Sequence, residues 1–159
     1  MKIEFENGNV VLHNVEDFVL SHTFLCGQCF RFNPHVNGGY IGTAKGKTVR
    51  ITQDGNTVVF HSTSIDDFNT IWCDYFDFDR DYGKIKKSLT NGSDKVMESA
   101  IAYGNGIRIL KQDLWETIIS FIVSASNNIP RIKGIIKRLC ELCGEKTENG
   151  YAFPKPEVI

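Results

Sequence analysis

Cys26-Gly27-Gln28-Cys29 and Cys140-Glu141-Leu142-Cys143 are the first residues in this chain whose type and spacing could do chemistry, because two Cys-x-x-Cys pairs are the usual halves of a four-thiolate zinc site. The pairs lie far apart, however, no histidine sits near the second, and Cys140 and Cys143 fall on or beside an apolar helical stripe. Free cysteine is among the most buried residue types, so the pairs read as packing residues and no metal or other cofactor is expected. His13, His22, His35 and His61 are scattered among predicted strands and loops without metal-ligand spacing. Asp74, Asp77, Asp79 and Asp81 alternate with aromatics. A calcium loop would need glycine at its sixth position, which counted from Asp74 is Asp79, so the run reads as a solvated acidic edge. The chain has no nucleophile elbow, phosphate-binding loop or dinucleotide glycine motif.

Two segments carry recognition chemistry instead. In Thr23-Phe24-Leu25-Cys26-Gly27-Gln28-Cys29-Phe30-Arg31-Phe32 a glycine stands just before an aromatic-bearing strand, where it lets another group approach the backbone closely. Farther on, Ser126-Asn127-Asn128 makes a polar corner between two helices, followed by Pro130 and a basic run of Arg131, Lys133, Lys137 and Arg138. Helix N–H groups at such a corner sit at the positive end of a dipole. The asparagines could equally serve as helix caps.

The elements that must position these residues are legible from periodicity. Arg31–Asn33, Tyr40–Ala44, Lys47–Thr52 and Thr57–His61 read as strands of an antiparallel meander, joined by Asn37-Gly38-Gly39, Lys45-Gly46-Lys47 and Asp54-Gly55-Asn56 turns. A Ser64-x-x-Asp67 capping box then opens a helix with Ile65, Phe68, Ile71, Trp72 and Tyr75 on one side, predicted to cover the sheet. Shorter helical runs follow at Tyr82–Leu89 and Asp94–Tyr103, and Gly104-Asn105-Gly106 marks a domain boundary. Asp113-x-x-Glu116 caps a helix whose stripe of Leu114, Ile118, Phe121, Ile122 and Ala125 is expected to be buried. The next helix starts at Pro130, turns Ile129, Ile132, Ile135, Ile136, Leu139 and Cys143 to one side, presents a basic opposite face, and is capped by Gly144. The fold class is therefore α+β, with an antiparallel α+β unit at 1–104 and further helices at 105–159.

Composition narrows the function classes. At 159 residues and 42% hydrophobic content the chain buries a real core, and a formal net charge of −1 excludes a generic polycation that coats nucleic acid. Charge is divided along the chain: residues 1–104 carry 10 Lys and Arg against 13 Asp and Glu, whereas 105–159 carry 8 against 6. Binding to phosphate must therefore use a local patch. An odd count of five cysteines and the absence of an apolar signal segment in MKIEFENG fit a soluble protein of a reducing compartment, cytoplasmic or nuclear.

In combination the motifs resemble those of the 8-oxoguanine DNA glycosylases. Gly27-Gln28-Cys29-Phe30-Arg31 is similar to the family's G-Q-[CS]-F-R followed by an aromatic, and Leu110-Lys111-Gln112-Asp113 to its approach to the first interior helix. Ser120-Phe121-Ile122 through Asn127-Asn128-Ile129-Pro130-Arg131-Ile132 completes the likeness in the same order. One departure is Ser126, where many relatives carry a third asparagine.

The resemblance implies half of a TATA-binding-protein-like sheet followed by the opening helices of a helix-hairpin-helix glycosylase domain. Its expected partner is double-stranded DNA containing 8-oxoguanine. Such enzymes flip the oxidised base out, displace it with a lysine amine and cleave the strand through the Schiff base. The carbonyl of Gly27 is then expected to bind the damaged base, and Ser126, Asn127, Asn128, Arg131, Lys133 and Lys137 to touch DNA, with Arg131 reading the base opposite the lesion. The nucleophilic lysine and its aspartate are expected beyond Ile159, so the isolated chain is expected to be inactive and to self-associate, while the complete enzyme is expected to be a monomer. The alternative is a noncatalytic DNA-binding module using the basic helix 129–143.

Overall fold

Asn7 and Gly8 take positive φ, 50° and 77°, as a two-residue hairpin turn requires, and fold β1 (Lys2–Glu6) onto β2 (Asn9–His13). The computed structural model describes residues 1–90, 94–147 and 149–159. β1 and β2 are strands that periodicity did not mark, although Asn-Gly is a strong hairpin signal. After α1 (Leu20–Leu25) come β3 (Phe32–Pro34), β4 (Tyr40–Ala44), β5 (Lys47–Asp54) and β6 (Thr57–His61), the expected meander. All six strands form one antiparallel sheet in the order β1-β2-β6-β5-β4-β3, so β2 closes on β6 and β3 is left at the opposite edge.

Alternation along the strands sends Val10, Leu12, Ala44, Val49, Ile51, Val58 and Phe60 to one face, where they are buried. That face is covered by α2, which runs from Ile65–Asp67 through a π-helical turn at Phe68–Trp72 to Cys73–Tyr75. The Ser64 hydroxyl accepts from the Asp67 N–H at 3.0 Å, as its capping box requires. Phe68, Trp72, Tyr75 and Phe76 fill the core beneath. Gly42 lies opposite Phe32 in the ladder, and a methyl group there would overlap the Phe32 ring. The missing side chain lets that ring lie flat on the sheet and stack on Phe24, with centroids 4.2 Å apart.

α3 (Tyr82–Thr90) and α4 (Lys95–Tyr103) follow, the latter capped by Asp94. In the acidic run before them Asp74, Asp79 and Asp81 are exposed, as a solvated edge requires, and Asp77 is the exception. Asp77 is buried, accepts from the Tyr82 hydroxyl at 3.1 Å, and pairs with Lys111 at 3.1 Å. Arg108 is only 6% exposed; it donates to the Asp77 carbonyl at 2.7 Å and lies over the Phe78 and Tyr82 rings. The segment after Gly104 is thereby held on the first unit, and Leu110 belongs to its core.

α5 (Leu114–Ser124) is capped by Asp113, whose carboxylate accepts from the Glu116 N–H at 2.9 Å. Its apolar stripe calls for a covering surface and is open in this chain: Leu114 is 73% and Phe121 77% exposed, with Ile118 and Ile122 also open. The helix packs through Trp115, Glu116 and Val123 instead. α6 (Ile129–Cys143) buries Ile132, Ile136 and Cys140 against Phe30, Val123, Tyr151 and Phe153, while Ile129, expected on that face, is exposed. Gly144 caps α6 at φ −82°, outside the left-handed region, and the need for glycine is spatial: a methyl group would overlap the Ala152 and Cys140 carbonyls. A small hairpin of β7 (Lys146–Thr147) and β8 (Gly150–Tyr151) closes the chain. Among the described residues no helix is long and apolar enough to cross a membrane.

Candidate nucleic-acid interface

Gly27 has φ +85°, a conformation L side chains rarely adopt, and a methyl group there would meet nothing within 4 Å. Within the chain it is the backbone turn, not crowding by neighbouring protein atoms, that calls for glycine here. Among the described residues no hydrogen bond ends on the Gly27 carbonyl.

Gln28 fixes the turn. Its Nε2 donates to the carbonyls of Thr23 at 2.9 Å and Arg108 at 2.8 Å, and its Oε1 accepts from the Leu110 N–H at 3.0 Å. Gln112 Nε2 returns a bond of 2.6 Å to the Gln28 carbonyl. The sequence offered Gln28 only as part of a motif; its partners Arg108, Leu110 and Gln112 lie 80 to 84 residues away, and no local pattern signals them. Cys29 is buried, and burial pushes its thiol up to about 12, so it is a packing group with no thiolate to offer near neutrality. Cys140 is buried as well, and burial raises its thiol. Among the described residues no three His, Cys, Asp or Glu side chains converge as metal ligands.

Arg31 turns inward and ties the sheet to the helices. Its guanidinium donates to the Tyr151 carbonyl and pairs with Glu116 at 3.4 Å, both side chains nearly out of water. Burial raises the Glu116 carboxyl above its ordinary value, and the adjacent guanidinium opposes that rise.

At the corner between α5 and α6, Ser126 takes φ +53°, a left-handed conformation in which asparagine is more at ease than serine. Asn127 donates from Nδ2 to the Val123 carbonyl at 3.2 Å and accepts the Asn128 N–H at 3.1 Å. Asn128 Oδ1 caps the Arg131 N–H at 3.0 Å, and Pro130 has no N–H to offer. The corner therefore satisfies most of its own polar groups, and the free helix N–H groups expected there are largely used up. Arg131 is exposed, and among the described residues its guanidinium has no partner. Lys137 is exposed and only loosely paired with Glu141 at 3.8 Å. Lys133 does not lie on the exposed basic face assigned to it. It donates to the Phe32 carbonyl at 2.7 Å and to Asn33 Oδ1 at 3.1 Å, on the sheet edge. Residues in the first turns of α6 separated by two positions point to nearly opposite sides, which is why Arg131 faces out when Lys133 faces in.

Residues 10–118 match the family model for the 8-oxoguanine DNA glycosylase N-terminal domain. The chain belongs to that family. The N-glycosylase/DNA lyase of Saccharomyces cerevisiae is 30% identical over 164 residues, covering 92% of this chain and 43% of the yeast protein. A solved structure of MBOgg1 in complex with a low-affinity DNA ligand is 44% identical, with a TM-score of 0.91 over 99% of this chain and 55% of that one. The Clostridium acetobutylicum 8-oxoguanine glycosylase/lyase, in complex with double-stranded DNA containing cytosine opposite 8-oxoG, is 42% identical with a TM-score of 0.92, again over 99% and 55%. The α+β architecture is thus that of these glycosylases, and the likeness extends past residue 118 through the corner and α6. This chain spans 43% to 55% of the length of these relatives.

Proposed function

We propose that this chain supplies lesion and opposite-base recognition to a bifunctional 8-oxoguanine glycosylase and strand-cleaving lyase of base-excision repair, acting on double-stranded DNA in the cytoplasm or nucleus. The division into a sheet unit at 1–104, with the segment through Leu110 packed on it, and the helices of 105–159 follows the two recognition tasks. The Gly27 carbonyl meets the damaged base: guanine offers an acceptor at N7, whereas 8-oxoguanine carries a proton there, so the carbonyl attracts the lesion and repels the normal base. Ser126, Asn127 and Asn128 shape the corner beside the opposite base, Lys137 contacts phosphate, and Lys133 leaves the set of DNA contacts.

The observation that carries this reading is the exposed Arg131 guanidinium, which has no partner among the described residues, on a corner that satisfies most of its own polar groups. An unpaired cytosine presents acceptors at O2 and N3, and guanidinium has only donors. In the complete enzyme, Arg131→Ala should weaken preference for cytosine opposite the lesion by about 1–3 kcal/mol, measured as binding to duplexes differing only at that base. Equal loss for every opposite base would remove Arg131 from this role.

The reading also places the excising amine outside residues 1–159. Lys133 is committed to the sheet edge and Lys137 lies exposed beside Glu141, so neither amine is free in an enclosed site. The isolated chain should form no borohydride-trapped adduct with 8-oxoguanine DNA. A covalent adduct on gel electrophoresis would assign the nucleophile to one of its own lysines.

A further inference from the structure

The tie between Lys133 and the sheet has a rigid end and a yielding one. At the rigid end, Phe32 is 1% exposed, its ring stacked on Phe24 and laid over Gly42, so its carbonyl cannot shift without disturbing the core. At the yielding end, α6 stands off the sheet across an open groove of about 550 Å³, lined by Asn33, Ile41, Thr43, Thr48, Lys137 and Glu141 among others. The buried contacts of α6 lie with Phe30, Val123 and the closing hairpin, and Lys133 bridges the groove side. Burial draws the Lys133 amine below the usual lysine range, with the nearby Cys29 opposing, which fits a side chain withdrawn from water.

We propose that Lys133 is a positioning residue, whose bonds to the Phe32 carbonyl and Asn33 hold the first turns of α6 in register with the strand that follows Gly27, so that Arg131 and the lesion-reading carbonyl keep a fixed separation. This rests on the reading of Arg131 given above. β3 begins five residues after Gly27 and Lys133 lies two after Arg131, so one side chain connects the two recognition elements through an edge strand that the buried Phe32 anchors. A phosphate contact would require the ammonium to leave both acceptors and cross to the other side of its helix.

The test uses the complete enzyme and 8-oxoguanine duplexes carrying cytosine or adenine opposite the lesion, with binding measured over a series of salt concentrations. K133M should lower the cytosine-to-adenine preference by about tenfold while leaving the salt slope at its wild-type value, since a small misplacement of a recognition group is enough for such a loss. N33A, an exposed substitution that leaves α6 intact, should reproduce part of the loss, and the double variant should fall no further than K133M alone. K133R should restore part of the preference by donating to the same acceptors. K137M provides the phosphate comparison, with a salt slope shallower by about one. A shallower slope for K133M with unchanged preference would make Lys133 a phosphate ligand, and preference unchanged in both K133M and N33A would end the positioning role. If R131A also leaves preference unchanged, the reading of Arg131 fails. If R131A lowers it and K133M and N33A do not, only this proposal fails.

Discussion

Cys29 shows how burial alone sets the chemistry of a residue that looks reactive in sequence. With its thiol raised from the ordinary 9.0 to about 12 by desolvation, the folded chain keeps a proton that the unfolded chain releases. The unfolded state then binds fewer protons, so stability is fully present below pH 9 and declines as pH rises from 9 towards 12, by about 1.4 kcal/mol per pH unit. Cys29→Ser should flatten that decline. Urea midpoints for both proteins at intervals through the window give the comparison, and parallel slopes would contradict the assignment. Gln28, Arg31 and Lys133 make the complementary point: each is polar, each has partners remote in sequence, and each ties the segment from Gln28 to Asn33 to another part of the chain.

Among the elements, α6 is the one on which the proposed reading of the opposite base depends most. It is begun by an asparagine cap, held on one side by Ile132, Ile136 and Cys140, tethered on the other by Lys133, and ended by Gly144. The closing glycine has an ordinary negative φ, so its replacement tests space rather than conformation. Gly144→Ala drives a methyl group into the Ala152 and Cys140 carbonyls. It should destabilise the chain by about 1–3 kcal/mol, the usual cost of overpacking, in chemical denaturation. An unchanged midpoint would mean that the closing hairpin yields freely. The left-handed Ser126 at the other end of α6 is a second place where a relative's asparagine would sit with less strain.

For the whole molecule, the exposed stripe of α5 is the dominant feature. Leu114, Ile118, Phe121 and Ile122 present a contiguous apolar face of a kind that water-exposed surfaces rarely carry. A face of this composition calls for a covering apolar surface. In the isolated chain it should drive concentration-dependent association, detectable by sedimentation velocity, which Phe121→Ser should reduce without shifting the unfolding midpoint by more than about 0.5 kcal/mol. A chain that stays monomeric at all concentrations, or associates equally well with the serine, would locate no such contact on α5.

By itself the sequence determined the meander, the capped helices and the order of the recognition motifs, because turns, caps and periodicity are local and their signals sit within a few residues. It also carried the family likeness through Gly27 to Arg31 and Asn127 to Ile132. Only the tertiary structure decided which polar groups of the basic run are spent within the fold. Arg131 and Lys133 look alike in a basic run, and the difference between an open guanidinium and an ammonium spent on a strand carbonyl depends on where β3 lies against α6. Asp77 and Asp79 likewise look alike in an acidic run, yet Asp77 is buried against Lys111 and Tyr82. The α5 stripe read as core because periodicity reports that a face is apolar, whereas its burial requires a partner surface that only the assembled fold can supply.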